Sequence, residues 1–178
     1  MTDLIAETAL GGTAPRVAQA GPVTLTERFD IALASLALRK GAGTPQPFGL
    51  TLAAPGETTS DGTTGSLWMA PGQWMIEAPL QDLAARLIAE SPGCSVTEQT
   101  DGWVIIDIDG PAPVIEALRE RLVNLPPQAL APGRATRTLM HHMSVFVIRR
   151  TDGRLSIMGM RSMAGSLWHT LEQAAGRL

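Results

Sequence analysis

The chain has 178 residues, long enough for one domain or two small ones with a real core. Hydrophobic residues make up 44% and charged residues 17%, the balance of a folded rather than a disordered chain. Net charge is −3, with 13 Arg and one Lys, so nothing points to nucleic acid or an anionic membrane as partner.

The low charge density suggests that some apolar surface is covered by another protein. Cys94 is the only cysteine, which excludes an intramolecular disulfide and a cysteine-based zinc site. Residues 1–12 carry Asp3 and Glu7 and no basic stretch, unlike a secretory signal. No apolar run reaches the ~18 residues that span a bilayer. The expectation is a soluble, cytoplasmic chain.

Residues 1–22 hold Gly11-Gly12, Pro15 and Gly21-Pro22 among small residues and read as a flexible arm, with one α+β domain expected over residues 23–178. Val23 to Glu27 fits a short strand. Ile31 to Lys40 is ambiguous. It fits a helical face through Phe29, Ala32, Leu33, Leu36 and Ala37, and equally a strand buried on both sides. Gly41 to Gly49 reads as loop with one helical turn near Phe48, and Ala54 to Gly65 as a mobile loop.

Ser66 to Ala78 is the most legible stretch. Pro71 presets φ and Gly72 accepts φ > 0, so Ala70 to Gln73 predicts a type II turn between two short strands. Each arm carries a tryptophan, Trp68 and Trp74, placed roughly cross-strand. Pro79 predicts the start of a helix with Leu80, Leu83, Ala84, Leu87 and Ile88 as its apolar stripe, stopped at Ser91-Pro92-Gly93. Ser95 to Gln99 and Trp103 to Asp109 are expected as a second hairpin around Thr100-Asp101-Gly102. Gly110-Pro111 opens a helix with Val114, Leu118, Leu122 and Leu125 on its face. Thr136 to Arg150 is a long β-prone run, turned by Thr151-Asp152-Gly153 into Arg154 to Met160. Ser162 is expected to cap a last helix that buries Ala164, Leu167, Trp168, Leu171, Ala175 and Leu178. The order of hairpins and helices predicts an α+β fold of antiparallel sheets with helices on one face, in tandem ferredoxin-like units.

No catalytic set emerges. Adjacent His141 and His142 on a strand point to opposite faces and lack a third ligand at informative spacing. Asp107 and Asp109 share a strand face and could serve acid–base chemistry, but a solvated sheet face explains them better. Cys94 has no local base partner, so a buried structural thiol is expected. Arg161 beside a helix start could hold an anion, and a surface role explains it equally well.

Four motifs in order resemble the γ subunit family of heterotetrameric sarcosine oxidase. Leu67-Trp68-Met69-Ala70-Pro71-Gly72-Gln73-Trp74-Met75 is similar to its Trp-containing hairpin. Thr100-Asp101-Gly102-Trp103 with Ile108-Asp109-Gly110-Pro111-Ala112 is similar to its strand–helix junction. Pro132-Gly133-Arg134-Ala135-Thr136-Arg137-Thr138 resembles its entry into the last sheet region, and Arg161 to His169 its C-terminal helix. The resemblance runs from about Val23 to the C-terminus and makes Ile31 to Lys40 a strand.

It implies a fold related to the folate-binding domain of aminomethyltransferases. It also implies a structural role in the oxidative demethylation of sarcosine to glycine, within sarcosine catabolism and one-carbon metabolism. FAD, FMN, NAD and tetrahydrofolate would then belong to the α and β subunits and zinc to δ. No cofactor, metal or catalytic residue is expected on this chain. Partner contacts are expected at Trp68, Trp74, Arg137, His141, His142, Arg161 and Trp168. The alternative is a stand-alone folate- or C1-binding protein, although the folate-dependent relatives' KGCYxGQE signature has no match here.

Overall fold

The computed structural model describes residues 5–79 and 82–178. In chain order the first elements are β1 (Val17–Ala20), β2 (Val23–Arg28), β3 (Ala32–Leu38), β4 (Thr58–Ser60), β5 (Gly65–Ala70), β6 (Gln73–Ala78), α1 (Leu83–Glu90) and β7 (Cys94–Glu98). After them come β8 (Trp103–Asp109), α2 (Ala112–Leu122), β9 (Ala135–Met140), β10 (Met143–Thr151), β11 (Arg154–Met160) and α3 (Ala164–Ala175). These elements divide between two units, one of residues 1–29, 101–132 and 136–178, the other of residues 30–100 and 133–135.

The first unit is built on a six-stranded sheet in the order β1-β2-β8-β11-β10-β9. Strand periodicity sends alternate residues to one face. Leu25, Val104, Ile106, Ile108, Val145, Val147, Leu155 and Ile157 all enter the core. α2 adds Ile115, Leu118 and Leu122, and α3 adds Leu167, Trp168, Leu171 and Ala175, at helical spacing. A side chain at Gly159 would overlap Leu167, so this glycine lets α3 settle close on β11.

The second unit has a five-stranded sheet in the order β4-β5-β6-β3-β7, with α1 beside it. Leu36, Ala34, Trp74, Ile76, Leu83 and Leu87 form its core. β3 lies between β6 and β7 with antiparallel pairing on both sides. Leu33, Ala34 and Leu36 are buried on both of its faces, which is why this run has no simple alternation. α1 has no side-chain cap and is held by packing; truncating Leu83 or Leu87 to Ala would cost about 2–5 kcal/mol.

The α+β architecture, both antiparallel sheets and the strand over Ile31 to Lys40 agree with the sequence reading. Several local readings change. Ser95 to Gln99 and Trp103 to Asp109 are not a hairpin: β7 pairs with β3, and β8 pairs with β2 and β11 in the other sheet. The connection is a 3₁₀ turn at Thr100–Gly102. Glu98 Oε1 accepts from the Thr100 N–H at 2.8 Å, and Thr100 Oγ1 accepts from the Leu33 N–H at 2.9 Å. Those side-chain bonds hold the turn, so the Asp-Gly pair closes no ladder.

The Ala54 to Gly65 loop contains β4, an edge strand paired with β5. Ile88 is 60% exposed rather than part of the stripe, and Leu80 lies outside the described residues. Ser162 sits in a 3₁₀ turn before α3 and makes no capping bond. Within residues 1–22, β1 pairs with β2, and buried Glu27 accepts the Leu10 and Arg16 N–H groups at 2.9 and 3.0 Å.

Candidate functional site

In the β5–β6 hairpin, Gly72 takes φ +69° and Trp68 stands opposite Trp74. A register shift falls between Trp68 and Ala70. Directly opposed side chains share a face. Trp74 is buried, and its indole N–H donates to the Ala53 carbonyl at 2.8 Å. Trp68 is half-buried against the same core. The pair is therefore core structure in its own unit, with only Trp68 retaining accessible surface.

Trp168 is also core, 2% exposed, with the Arg16 guanidinium 5.6 Å from the ring centroid. Arg161 is engaged by its own chain. Its Nη2 donates to the Glu7 and Thr8 carbonyls at 2.8 and 3.1 Å, and its Nη1 lies 3.6 Å from Asp101. It ties residues 7–8 to the start of α3.

His141 and His142 are not strand residues. They are the two-residue connection between β9 and β10, with φ +46° and +68°. Positive φ at both central positions is the signature of a type I′ hairpin turn. Both side chains are exposed at the hairpin tip, so the expected split between the sheet's two faces does not occur. No Gly, Asn or Asp marks this turn, which is why the sequence reads as one long strand. Nearby, Arg137 donates to Ser144 Oγ at 3.3 Å and stacks over Phe146 at 5.7 Å. Leu139, two residues on, is 65% exposed.

The two candidate carboxylates are each paired with an arginine of their own sheet, Asp107 buried and Asp109 partly exposed. Asp107 is 4% exposed and pairs with Arg28 at 3.0 Å. Its other oxygen accepts from Ser156 Oγ, which accepts in turn from Arg150 Nε. Asp109 pairs with Arg154 at 2.6 Å, and this bond raises the Arg154 pKa above its ordinary range. The expected solvated face is thus corrected: Asp107 is a buried, fully engaged group. Burial lifts the Cys94 thiol above its ordinary 9.0 although Arg39 opposes the shift, so the group is a poor nucleophile at neutral pH. Among the described residues, no three His, Cys, Asp or Glu side chains converge as a metal site.

Sequence reasoning missed the buried arginines Arg119 and Arg149, which flank Glu116 at 2.6 and 3.9 Å. It also missed Leu139, a large apolar side chain 65% exposed on β9, the outermost strand of its sheet. Neither was visible from type or spacing.

The fold is α+β, with two antiparallel sheets and three α-helices among the described residues. No family model matches the sequence, and no curated protein matches it. Among solved structures, the chain is similar to a chain of the heterotetrameric sarcosine oxidase from Corynebacterium sp. U-96. The TM-score is 0.73 at 22% identity, covering 90% of this chain and 87% of that one. It is also similar to aminomethyltransferase T of the glycine cleavage system from Bartonella henselae, with TM-score 0.58 at 16% identity. That match covers 85% of this chain and 45% of the aminomethyltransferase, so the chain spans less than half of its length. At these identities the likeness establishes the fold. No helix among the described residues is long and apolar enough to cross a membrane.

Proposed function

We propose that this chain is a small, non-catalytic subunit of the γ type in a heterotetrameric sarcosine oxidase complex. The carrying observation is the extent of the structural likeness. Nine-tenths of this chain lies over 87% of one chain of such an oxidase, so the two are nearly equal in length. The correspondence takes in almost a whole subunit, whereas only 45% of the aminomethyltransferase is matched. The four ordered sequence motifs support the same reading. So does the internal use of the polar groups: Asp107, Asp109 and Arg161 are bonded within their own unit.

In this reading the partners are α, β and δ subunits in the cytoplasm, and the assembly oxidises sarcosine to glycine. FAD, FMN, NAD, tetrahydrofolate and zinc reside on those partners. This chain contributes surface and rigidity. Co-expression with α- and β-type subunits, followed by affinity capture through a tag on this chain, tests the proposal. The expected result is capture of both; a stable monomer that retains neither contradicts it.

The similarity to an aminomethyltransferase favours a second reading, a stand-alone folate- or C1-binding protein. Titration with tetrahydrofolate separates the two. Saturable binding to the isolated chain supports the second reading, and no binding at millimolar ligand removes it.

A further inference from the structure

We propose that the outer edge of β9 receives an extended acidic segment of a partner subunit as an added strand. The inference rests on the subunit reading above and assigns the place of contact. β9 is the last strand of its sheet, with β10 on one side only. At its first residue, Ala135, the N–H donates to the Gly56 carbonyl at 3.0 Å, and so points away from β10. Alternate amides along a strand of an antiparallel pair point the same way. The N–H groups of Arg137 and Leu139 are therefore aimed outward, where the sheet has no further strand among the described residues.

An open edge is a template for strand addition unless it is blunted. This one carries a large apolar side chain, Leu139, 65% exposed. Its charge selects the occupant. Between Glu120 and Asp152 the sequence has no Asp or Glu, and Glu57, which reaches this edge from elsewhere in the chain, is paired with Arg134 just before β9. Arg137 is held by neutral groups, the Ser144 hydroxyl and the Phe146 ring. His141 and His142, both exposed, close the hairpin tip without adding a carboxylate. A second copy of the same edge would set like charges side by side, which is destabilising across strands. An acidic strand with an apolar residue against Leu139 complements both features.

The test uses the co-expressed complex with α- and β-type subunits and compares hydrogen exchange with that of the free chain. The Arg137 and Leu139 amides are expected to become protected on assembly. Leu139→Pro removes one outward N–H, and proline is tolerated at such edge positions. Arg137→Glu reverses the charge and leaves the backbone intact. Each is expected to weaken assembly about tenfold or more while the free chain melts as before. The Arg137→Glu effect should shrink at high salt. A complex that forms with both amides exchanging as in the free chain, and with both variants binding normally, overturns this inference and leaves the subunit reading standing. No complex at all overturns both. Self-association of the free chain that Leu139→Pro abolishes would make a second copy the occupant and overturn the acidic partner.

Discussion

Ser156 Oγ donates to Asp107 Oδ1 at 2.5 Å across the β8–β11 ladder, where the two residues are direct partners. Both are buried, and the second carboxylate oxygen takes Arg28. The group resembles an acid–base site by residue type, yet its bonds are spent within the sheet. Asp107→Ala removes the charge that offsets Arg28 and the acceptor for Ser156. The expected loss is about 2–3 kcal/mol, because the buried Ser156 hydroxyl loses its acceptor and the Arg28 guanidinium, 28% exposed, loses one charge partner. Asp107→Asn keeps an acceptor and should cost only about 1–2 kcal/mol. Urea unfolding of both variants checks the order and the gap; equal and negligible losses would contradict it.

The β9–β10 turn stores backbone strain at two non-glycine residues, His141 and His142. Left-handed φ costs roughly 1–2 kcal/mol for an ordinary L-residue, whereas Asn and Gly adopt it readily. The double variant His141→Asn with His142→Gly is therefore expected to stabilise the chain by about 1 kcal/mol. A thermal melt reads this as a rise in Tm. A fall in Tm would mean that the imidazoles make stabilising contacts.

How legible this molecule is in its sequence depends on where each element's partners lie. The β10–β11 hairpin and the buried face of α3 follow from local pattern, since Asp152-Gly153 and the Leu167–Trp168–Leu171 spacing are self-sufficient signals. The same Asp-Gly signal misleads at Asp101-Gly102. There, the strand after the turn pairs with β2 and β11, more than one element away in sequence. A dipeptide can predict a reversal but not which sheet receives the next strand. The His141-His142 turn is hidden for another reason: its conformation is imposed by the paired strands on residues that do not prefer it. The candidate edge shows the same limit. Leu139 is unremarkable by type and becomes informative only once β9 is seen to lie outermost.

Asp61 gives a pH-dependent prediction. Its Oδ1 accepts the Thr64 and Thr63 backbone N–H groups at 2.7 and 2.8 Å. These bonds hold the carboxyl below its ordinary 3.8. Because the folded pKa is depressed, the stabilisation is fully present above 3.8 and is lost as pH falls through the lower folded value. Asp61→Ala should therefore be less stable than the parent at pH 6, and the difference should narrow below about pH 4. Denaturation at a series of pH values measures this. A gap that widens in acid would contradict it.

Cys94 provides a chemical readout of packing in the second unit. Burial raises its thiol above 9.0, so the stabilising preference for the neutral form is intact below that value and is lost as pH rises past it. Labelling by a thiol-specific reagent at pH 8 is expected to be slow in the folded chain and to accelerate with denaturant. Fast labelling of the native protein would contradict the buried, unactivated thiol.

As a γ-type subunit, this chain is expected to work as one subunit among others. Native mass spectrometry of the chain co-expressed with α-, β- and δ-type subunits tests it most directly. A single assembly containing one copy of each chain is expected. Detection of this chain only at 18.8 kDa, beside an α–β–δ complex that lacks it, would contradict the subunit role.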